Sequence, residues 1–142
     1  MNELLLQGLS ELGLDVSRAE TLERFSSLLL EKNEVMNLTA ITEPDAVAQL
    51  HLLDSAAILQ FVDLKGKKVV DVGTGAGFPG MPLRILEDDF DLTLLDSLGK
   101  RVKWLSEVCD ELQLKRVQCV HARAEEFAMQ HREQFDIATS RA

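Results

Sequence analysis

A chain of 142 residues is long enough for one domain with its own hydrophobic core. Its apolar content of 46% is that of an ordinary folded protein, and no run approaches the roughly 18 apolar residues that would mark a membrane span. A formal net charge of −9 argues against broad binding to phosphate backbones, so any nucleic-acid role needs a local basic patch.

Leu4, Leu5, Leu6, Leu9 and Leu12 suit a short amphipathic helix ended near Gly13. Glu3 precedes these leucines and no basic run opens the chain, so a cytoplasmic protein without a secretory signal is expected. Ser17 and Glu20 have the spacing of a capping box, which predicts a second helix from Ser17. Leu22, Phe25, Leu28, Leu29 and Met36 form its apolar face. A third helix is predicted from Thr42–Asp45, with Pro44 tolerated in its first turn. Val47, Leu50, Leu53, Ile58 and Phe61 are its expected buried side.

The pattern changes at Lys65-Gly66-Lys67-Lys68. Val69 to Val72 reads as a short buried strand, followed by a glycine-rich turn and a helix over Met81–Leu86. Leu92 to Leu95 reads as a second strand ending at Asp96, and Lys100 to Leu112 as a helix with Val102, Leu105, Val108, Cys109 and Leu112 on one face. Val117 to Val120 is a third strand, Ala124–Met129 a short helix, and Phe135 to Ala138 the start of a fourth strand. Strands alternating with helices predict a parallel, doubly wound α/β sheet with helices on both faces. We divide the chain into an N-terminal helical extension, residues 1–63, and a partial Rossmann-like core, residues 64–142, as one structural unit. Cys109 and Cys119 belong to no C-x-x-C pair and are expected to be reduced core thiols.

The densest chemical information lies in Asp71-Val72-Gly73-Thr74-Gly75-Ala76-Gly77. Glycines at alternate positions after a strand let the backbone turn sharply and approach a ligand closely. The following helix offers free N–H groups, and ligands of open parallel sheets bind outside the carboxyl ends of the strands. Two cofactor classes compete. Gly75-x-Gly77-x-x-Gly80 formally matches a dinucleotide fingerprint, a weak signal alone. Asp71 argues the other way, because a carboxylate beside pyrophosphate repels it. An acid suits a cationic ligand such as S-adenosylmethionine, which carries an ammonium and a sulfonium and no phosphate. Asp96, at the second strand's end, suits ribose hydroxyls in either case; capping the next helix is its plain alternative.

Ala124-Glu125 follows the third strand, where an adenine would lie, although Glu125 also reads as an ordinary helix-start acid. Arg141 lies just past the fourth strand, at the edge where cofactor or target would sit. Lys100, Arg101 and Lys103, joined by Lys65, Lys67 and Lys68, are the candidate phosphate-contacting patch, against the simpler reading of a solvated face. His51 and Asp54 sit three apart on the third helix and read equally as a structural pair or as functional residues; His121 and His131 show no ligand spacing, and no metal site is expected.

These residues together resemble a family. The run Asp71-Val72-Gly73-Thr74-Gly75-Ala76-Gly77-Phe78-Pro79-Gly80-Met81-Pro82-Leu83 is similar to the cofactor loop of the 16S ribosomal RNA guanine-N7 methyltransferases, also called RsmG or glucose-inhibited division protein B. Leu94-Leu95-Asp96-Ser97-Leu98-Gly99-Lys100-Arg101 resembles the family's second-strand motif. Asn37-Leu38-Thr39, His51-Leu52-Leu53-Asp54-Ser55, Arg123-Ala124-Glu125-Glu126 and Ser140-Arg141-Ala142 resemble further family motifs, so the likeness spans essentially the whole chain.

The resemblance implies a class I methyltransferase fold with S-adenosylmethionine as cofactor and S-adenosylhomocysteine as product. It implies cofactor contacts at Gly73, Phe78, Asp96, Ala124, Glu125 and Arg141, with Gly75, Gly77 and Ser97 completing the expected set. The implied target is N7 of guanine 527, in the 530 loop of 16S ribosomal RNA of the 30S subunit, for a monomer without a membrane partner. N7 has a free lone pair, so no general base is expected, and no catalytic residue is assigned. Family members continue for several strands past the Ser-Arg-Ala motif, whereas this chain stops at Ala142. The expectation is therefore a fragment with part of the target-base pocket absent and weak activity alone. The alternatives from other classes are a dinucleotide-binding oxidoreductase domain and a noncatalytic ribosome-associated module.

Overall fold

The β-branched and leucine-rich runs become the strands of a single sheet. In a computed structural model that describes residues 2–141, β1 (Lys68–Val72), β2 (Asp91–Asp96), β3 (Val117–His121) and β4 (Ile137–Ser140) are all parallel, in the order β3-β2-β1-β4. The order reverses at β1: β2 and β3 lie to one side, β4 to the other. Such a switch point leaves a crevice outside the carboxyl ends of the strands. Register brings those ends level, with Val72 opposite both Leu95 and Ser140. The glycine-rich loop leaves β1 at that crevice.

The two sheet faces are covered differently. Val69, Leu92 and Leu94 share one core with Leu5 and Leu9 of α1 (Glu3–Glu11), with Leu22, Phe25 and Leu29 of α2 (Ala19–Met36), and with Met81 of α5 (Gly80–Leu86) and Leu105 of α6 (Gly99–Glu111). Burying each such side chain contributes about 1.5–3 kcal/mol, so the N-terminal helices are fused to the sheet by a continuous apolar core. Val70 and Leu95 face the other way, against Phe127 of α7 (Ala124–Gln130). That face also carries a concavity of about 1040 Å³, lined by Thr93, Gln118, Val120, Phe127 and Phe135 among others and by no residue of the glycine loop. Cys109 is buried and Cys119 half-buried, and the two are not joined by a disulfide.

Two details of the N-terminal half differ from expectation. The Ser17–Glu20 capping box does not form. Asp15 caps instead, its carboxylate accepting from the Ser17 N–H at 2.9 Å, which draws Ser17 inside a 3₁₀ turn (Val16–Arg18) that leads into α2. In the third helical segment Leu50 is 50% and Phe61 82% exposed, although both were expected on the buried side. The cause is irregular winding: a π-turn (Ala48–Leu53) lies between α3 (Pro44–Val47) and α4 (Asp54–Ala56), and a 3₁₀ turn (Ala57–Gln60) then ends at Phe61. The wider π-turn carries the buried face from Val47 to Leu52 and then to Ala56, so a regular 3.6-residue count selects the wrong neighbours. In α6 the buried face includes Trp104, stacked on Phe25 at 6.3 Å, while Val102 is only half-buried.

Candidate functional site

The loop after β1 has two halves with opposite surroundings. Thr74 N–H donates to the Leu95 carbonyl at 3.0 Å, which folds the loop across the end of β2. On either side of it, Gly73 and Gly75 adopt φ of +65° and +58°, a conformation that disfavours any side chain. A Cβ added at either would meet nothing within 4 Å, so both look onto open space. At Gly77 an added Cβ would lie 2.6 Å from Met81 Cγ and 3.0 Å from Leu105 Cδ2. At Gly80 it would lie 2.5 Å from Leu94 Cδ2 and 2.8 Å from Asp71 Oδ2. Gly77, expected among the ligand-facing glycines, is therefore a packing glycine.

Asp71 also departs from its expected role. Its side chain is fully buried and does not face the crevice. Oδ2 accepts from Thr74 Oγ1 at 2.7 Å and from the Gly80 N–H at 3.0 Å, and Oδ1 accepts from Thr139 Oγ1 at 3.0 Å. The carboxylate thus ties β1, the glycine loop, the start of α5 and β4 together. Burial pushes it up to about 6, against the pull of those three hydrogen bonds. The free N–H groups expected at the start of α5 are likewise engaged: Gly80 by Asp71, and Met81 by the Gly77 carbonyl at 2.7 Å. Asp71 consequently does not discriminate between pyrophosphate and a cationic ligand, because it is desolvated and its oxygens are taken by internal donors.

Asp96 closes the crevice on the β2 side and is 4% exposed. Oδ2 accepts from the Gly75 N–H at 2.8 Å, Oδ1 accepts from the Leu98 N–H at 2.9 Å, and Arg101 Nη1 lies 3.8 Å from Oδ1. The residue fastens the glycine loop to the turn entering α6, and an ionised carboxylate retains lone pairs for further donors. Ser97 beside it is exposed, and its carbonyl lies 3.1 Å from His121 Nε2. The β3 exit is tied to the same edge by the Ala122 N–H to the Asp96 carbonyl at 3.1 Å. Ala124 and Glu125 begin α7 and are exposed; they do not line the cleft described next.

That cleft has a volume of about 360 Å³, and its walls include Gly73, Gly75, Phe78, Arg101 and Arg141 together with Leu38, Thr39 and His51. The last three come from the N-terminal segment. Phe78 is the joint: buried, tilted against Phe25 at 5.5 Å and stacked under the His51 ring at 4.4 Å and 12°. Arg141 crosses from the end of β4 to the third helical segment. Its guanidinium donates to His51 Nδ1 at 3.0 Å, to the Leu50 carbonyl at 2.7 Å and to Asp54 Oδ2 at 3.3 Å. His51 and Asp54 thus belong to one constellation, and Thr39 is a cleft residue that sequence reasoning missed. Its only sequence signal lay in the Asn-Leu-Thr motif. Asn37 ends α2 with φ +52°, and the Thr39 N–H then donates to Asn33 Oδ1 at 2.8 Å, which aims the hydroxyl at His51.

The basic residues do not form the single patch expected. Lys65, Lys67 and Lys68 lie before or at the start of β1, whereas Lys100, Arg101 and Lys103 open α6 beyond the far end of β2. A strand of this length separates them by about 15 Å or more. Lys100 and Lys103 instead flank a smaller hollow with Lys32 and Met36 of α2 and with Trp104. Among the described residues no group of three or more His, Cys, Asp or Glu side chains is placed to hold a metal, and no helix is long and apolar enough to cross a membrane. Ala142, the last residue of the Ser-Arg-Ala motif, lies outside the described residues.

Open-facing glycines, a strand-end acid and a terminal arginine around one crevice can hold a nucleoside cofactor, and comparison with known proteins narrows the class. The family model described as rRNA small subunit methyltransferase G (GidB) matches residues 18–142. A protein named Ribosomal RNA small subunit methyltransferase G from Lachnoclostridium phytofermentans is 47% identical over 146 residues, covering 99% of this chain and 60% of that protein. The protein of that name from Caldanaerobacter subterraneus is 46% identical over 99% of this chain and 61% of its own length. The one from Clostridium botulinum is 48% identical over 83% of this chain and 51% of its own length. The chain spans between about half and about three fifths of the curated relatives it matches. With a parallel β3-β2-β1-β4 sheet and a glycine loop at its switch point, the chain belongs to the rRNA small subunit methyltransferase G family.

Proposed function

We propose that this chain carries the cofactor half of an S-adenosylmethionine-dependent methyltransferase acting on N7 of guanine 527 of 16S ribosomal RNA in the 30S subunit. The observation that carries the reading is the pair Gly73 and Gly75, held at positive φ with open space before them at the β1 switch point. A cleft of about 360 Å³ is within the range of small-molecule sites. Family membership, not Asp71, separates this reading from a dinucleotide-binding oxidoreductase.

The cofactor supplies an electrophilic methyl group on a sulfonium. Gly73 and Gly75 let the backbone approach it, Phe78 and Arg141 wall its other side, and Asp96 offers free carboxylate lone pairs to ribose hydroxyls. Ser97, Ala124 and Glu125 stand at the neighbouring strand exits and complete the proposed set; Gly77 supports it from behind. Because guanine N7 carries a lone pair and no proton, these residues need to orient and exclude water rather than move a proton. Orientation of that kind supplies roughly 7–11 kcal/mol. Arg101 lines the cleft, Lys100 and Lys103 stand beside it at the start of α6, and the three are the proposed phosphate contacts. Lys65, Lys67 and Lys68, at the far end of the sheet, are not.

Transfer of a labelled methyl group from S-adenosylmethionine to 30S subunits by the full-length protein tests the reaction. Its absence would leave a noncatalytic ribosome-associated module. In the same assay Lys100→Glu with Lys103→Glu should raise KM and reduce the salt slope of binding by about 1 per lysine. Reversal at Lys65, Lys67 and Lys68 should leave KM within about twofold. Equal effects of the two reversals would remove the proposed RNA face.

A further inference from the structure

We infer that His51 is a positioning residue for Arg141: its unprotonated Nδ1 holds the guanidinium at the mouth of the cleft, so the N-terminal segment builds the cofactor site as well as stabilising the fold. The inference rests on the proposed cofactor reading for its consequence, but its geometry stands alone.

A guanidinium has only donors, so the Arg141 Nη1 contact at 3.0 Å requires His51 Nδ1 to be the acceptor. The ring proton must then sit on Nε2, which donates to Thr39 Oγ1 at 2.9 Å. Thr39 Oγ1 accepts from the Ile41 N–H at 3.1 Å and keeps a second lone pair for the Nε2 proton. The donor-only guanidinium sets the tautomer, and the Thr39 hydroxyl accommodates it. The ring plane is fixed too, by stacking on Phe78.

Arg141 has three partners on this segment: His51 Nδ1 at 3.0 Å, the Leu50 carbonyl at 2.7 Å and Asp54 at 3.3 Å. His51 alone links its direction to Phe78 and hence to the cleft, where the guanidinium carbon lies 5.8 Å from the Phe78 ring centre. The neighbourhood keeps the imidazole neutral. Burial and the Arg141 charge hold it below the ordinary histidine range, against the opposing pull of Asp54. Protonation would place an N–H against the guanidinium and break the link. The charged groups facing it are Arg141 from the end of β4 and Asp54 from its own segment, and Arg141 in turn faces Asp71 at the end of β1.

Two substitutions separate the acceptor from the ring. His51→Phe keeps the stack on Phe78 and loses the acceptor; His51→Asn keeps an acceptor near Nδ1 and loses the stack. By calorimetry on the full-length protein, His51→Phe should weaken S-adenosylhomocysteine binding about tenfold, as should Arg141→Lys. The double variant should be no weaker than either single, and His51→Asn should stay within about threefold of wild type. Wild-type affinity should fall on acidification below the ordinary histidine range, and His51→Phe should flatten that fall. Independently, ring nitrogen shifts in the unliganded protein should report a bare Nδ1 and a protonated Nε2. An Nδ1–H tautomer, wild-type affinity in His51→Phe, or His51→Asn as weak as His51→Phe would each overturn the inference. If wild type takes up no S-adenosylhomocysteine, the cofactor reading fails, while the ring nitrogen shifts still decide the His51–Arg141 link.

Discussion

Gly73 and Gly75 look into the cleft, whereas Gly77 and Gly80, a few residues on in the same loop, are pressed against Met81, Leu105, Leu94 and Asp71. One residue type thus answers two opposite demands. The first half of the loop needs glycine because of backbone conformation and ligand approach; the second half needs it because the core leaves no room for a Cβ, at Gly77 in addition to a φ of +100°. The boundary between them is held by the Asp71 carboxylate, which reaches Thr74 on one side and Gly80 on the other. A glycine-rich motif is therefore only partly a ligand surface, and its two parts should fail in different ways when changed.

The largest loss of stability is expected in the second half. Gly77→Ala forces a Cβ to within 2.6 Å of Met81 Cγ and should cost about 2–4 kcal/mol in urea denaturation. A cost near zero would mean that the loop packs differently. Next comes the joint. With Asp71 at about 6 in the native state against 3.8 ordinarily, the folded protein holds this proton more tightly than the unfolded chain. Its contribution to stability is present below about pH 4 and is lost as pH rises through about 6, a change approaching about 3 kcal/mol. Asp71→Asn keeps an acceptor for Thr74 and Gly80 and presents its amide to the Thr139 hydroxyl. Its urea midpoint should gain on wild type between pH 4 and pH 7.5. Parallel pH curves would show that Asp71 does not titrate as described.

A smaller change sharpens the same point. Thr139→Val removes one donor from the ionised carboxylate at 3.0 Å and should cost about 1.5–3 kcal/mol above pH 6. It should also raise the pH of the Asp71 transition, because the lost hydrogen bond favoured the charged form. The least stability should be lost in the first half of the loop. Gly73→Val places a branched side chain at φ +65° but in open space, for about 1–2 kcal/mol.

The alternation of Val69–Val72, Leu92–Leu95 and Val117–Val120 with amphipathic helices made the parallel sheet legible, because period and turn residues are local properties. What local properties could not carry was contact between distant segments. The glycine run marked the crevice, but nothing adjacent to Asp71 shows that Thr139, on β4, will hydrogen-bond it. His51 and Asp54 were visible as a pair, yet their partner Arg141 lies on the far side of the sheet in sequence. The π-turn in the third helical segment has no compositional mark and displaced Leu50 and Phe61 from the expected face. The basic residues misled for a similar reason: Lys65–Lys68 and Lys100–Lys103 look alike as charge clusters and differ only in which end of a strand they flank.

The most direct test of the central claim is calorimetric titration of S-adenosylhomocysteine into wild type and Gly73→Val, with thermal melts of both. Wild type should show saturable one-site binding, and Gly73→Val should show no measurable binding while still melting cooperatively. Unchanged affinity in that variant would show that the open half of the loop is not the cofactor surface.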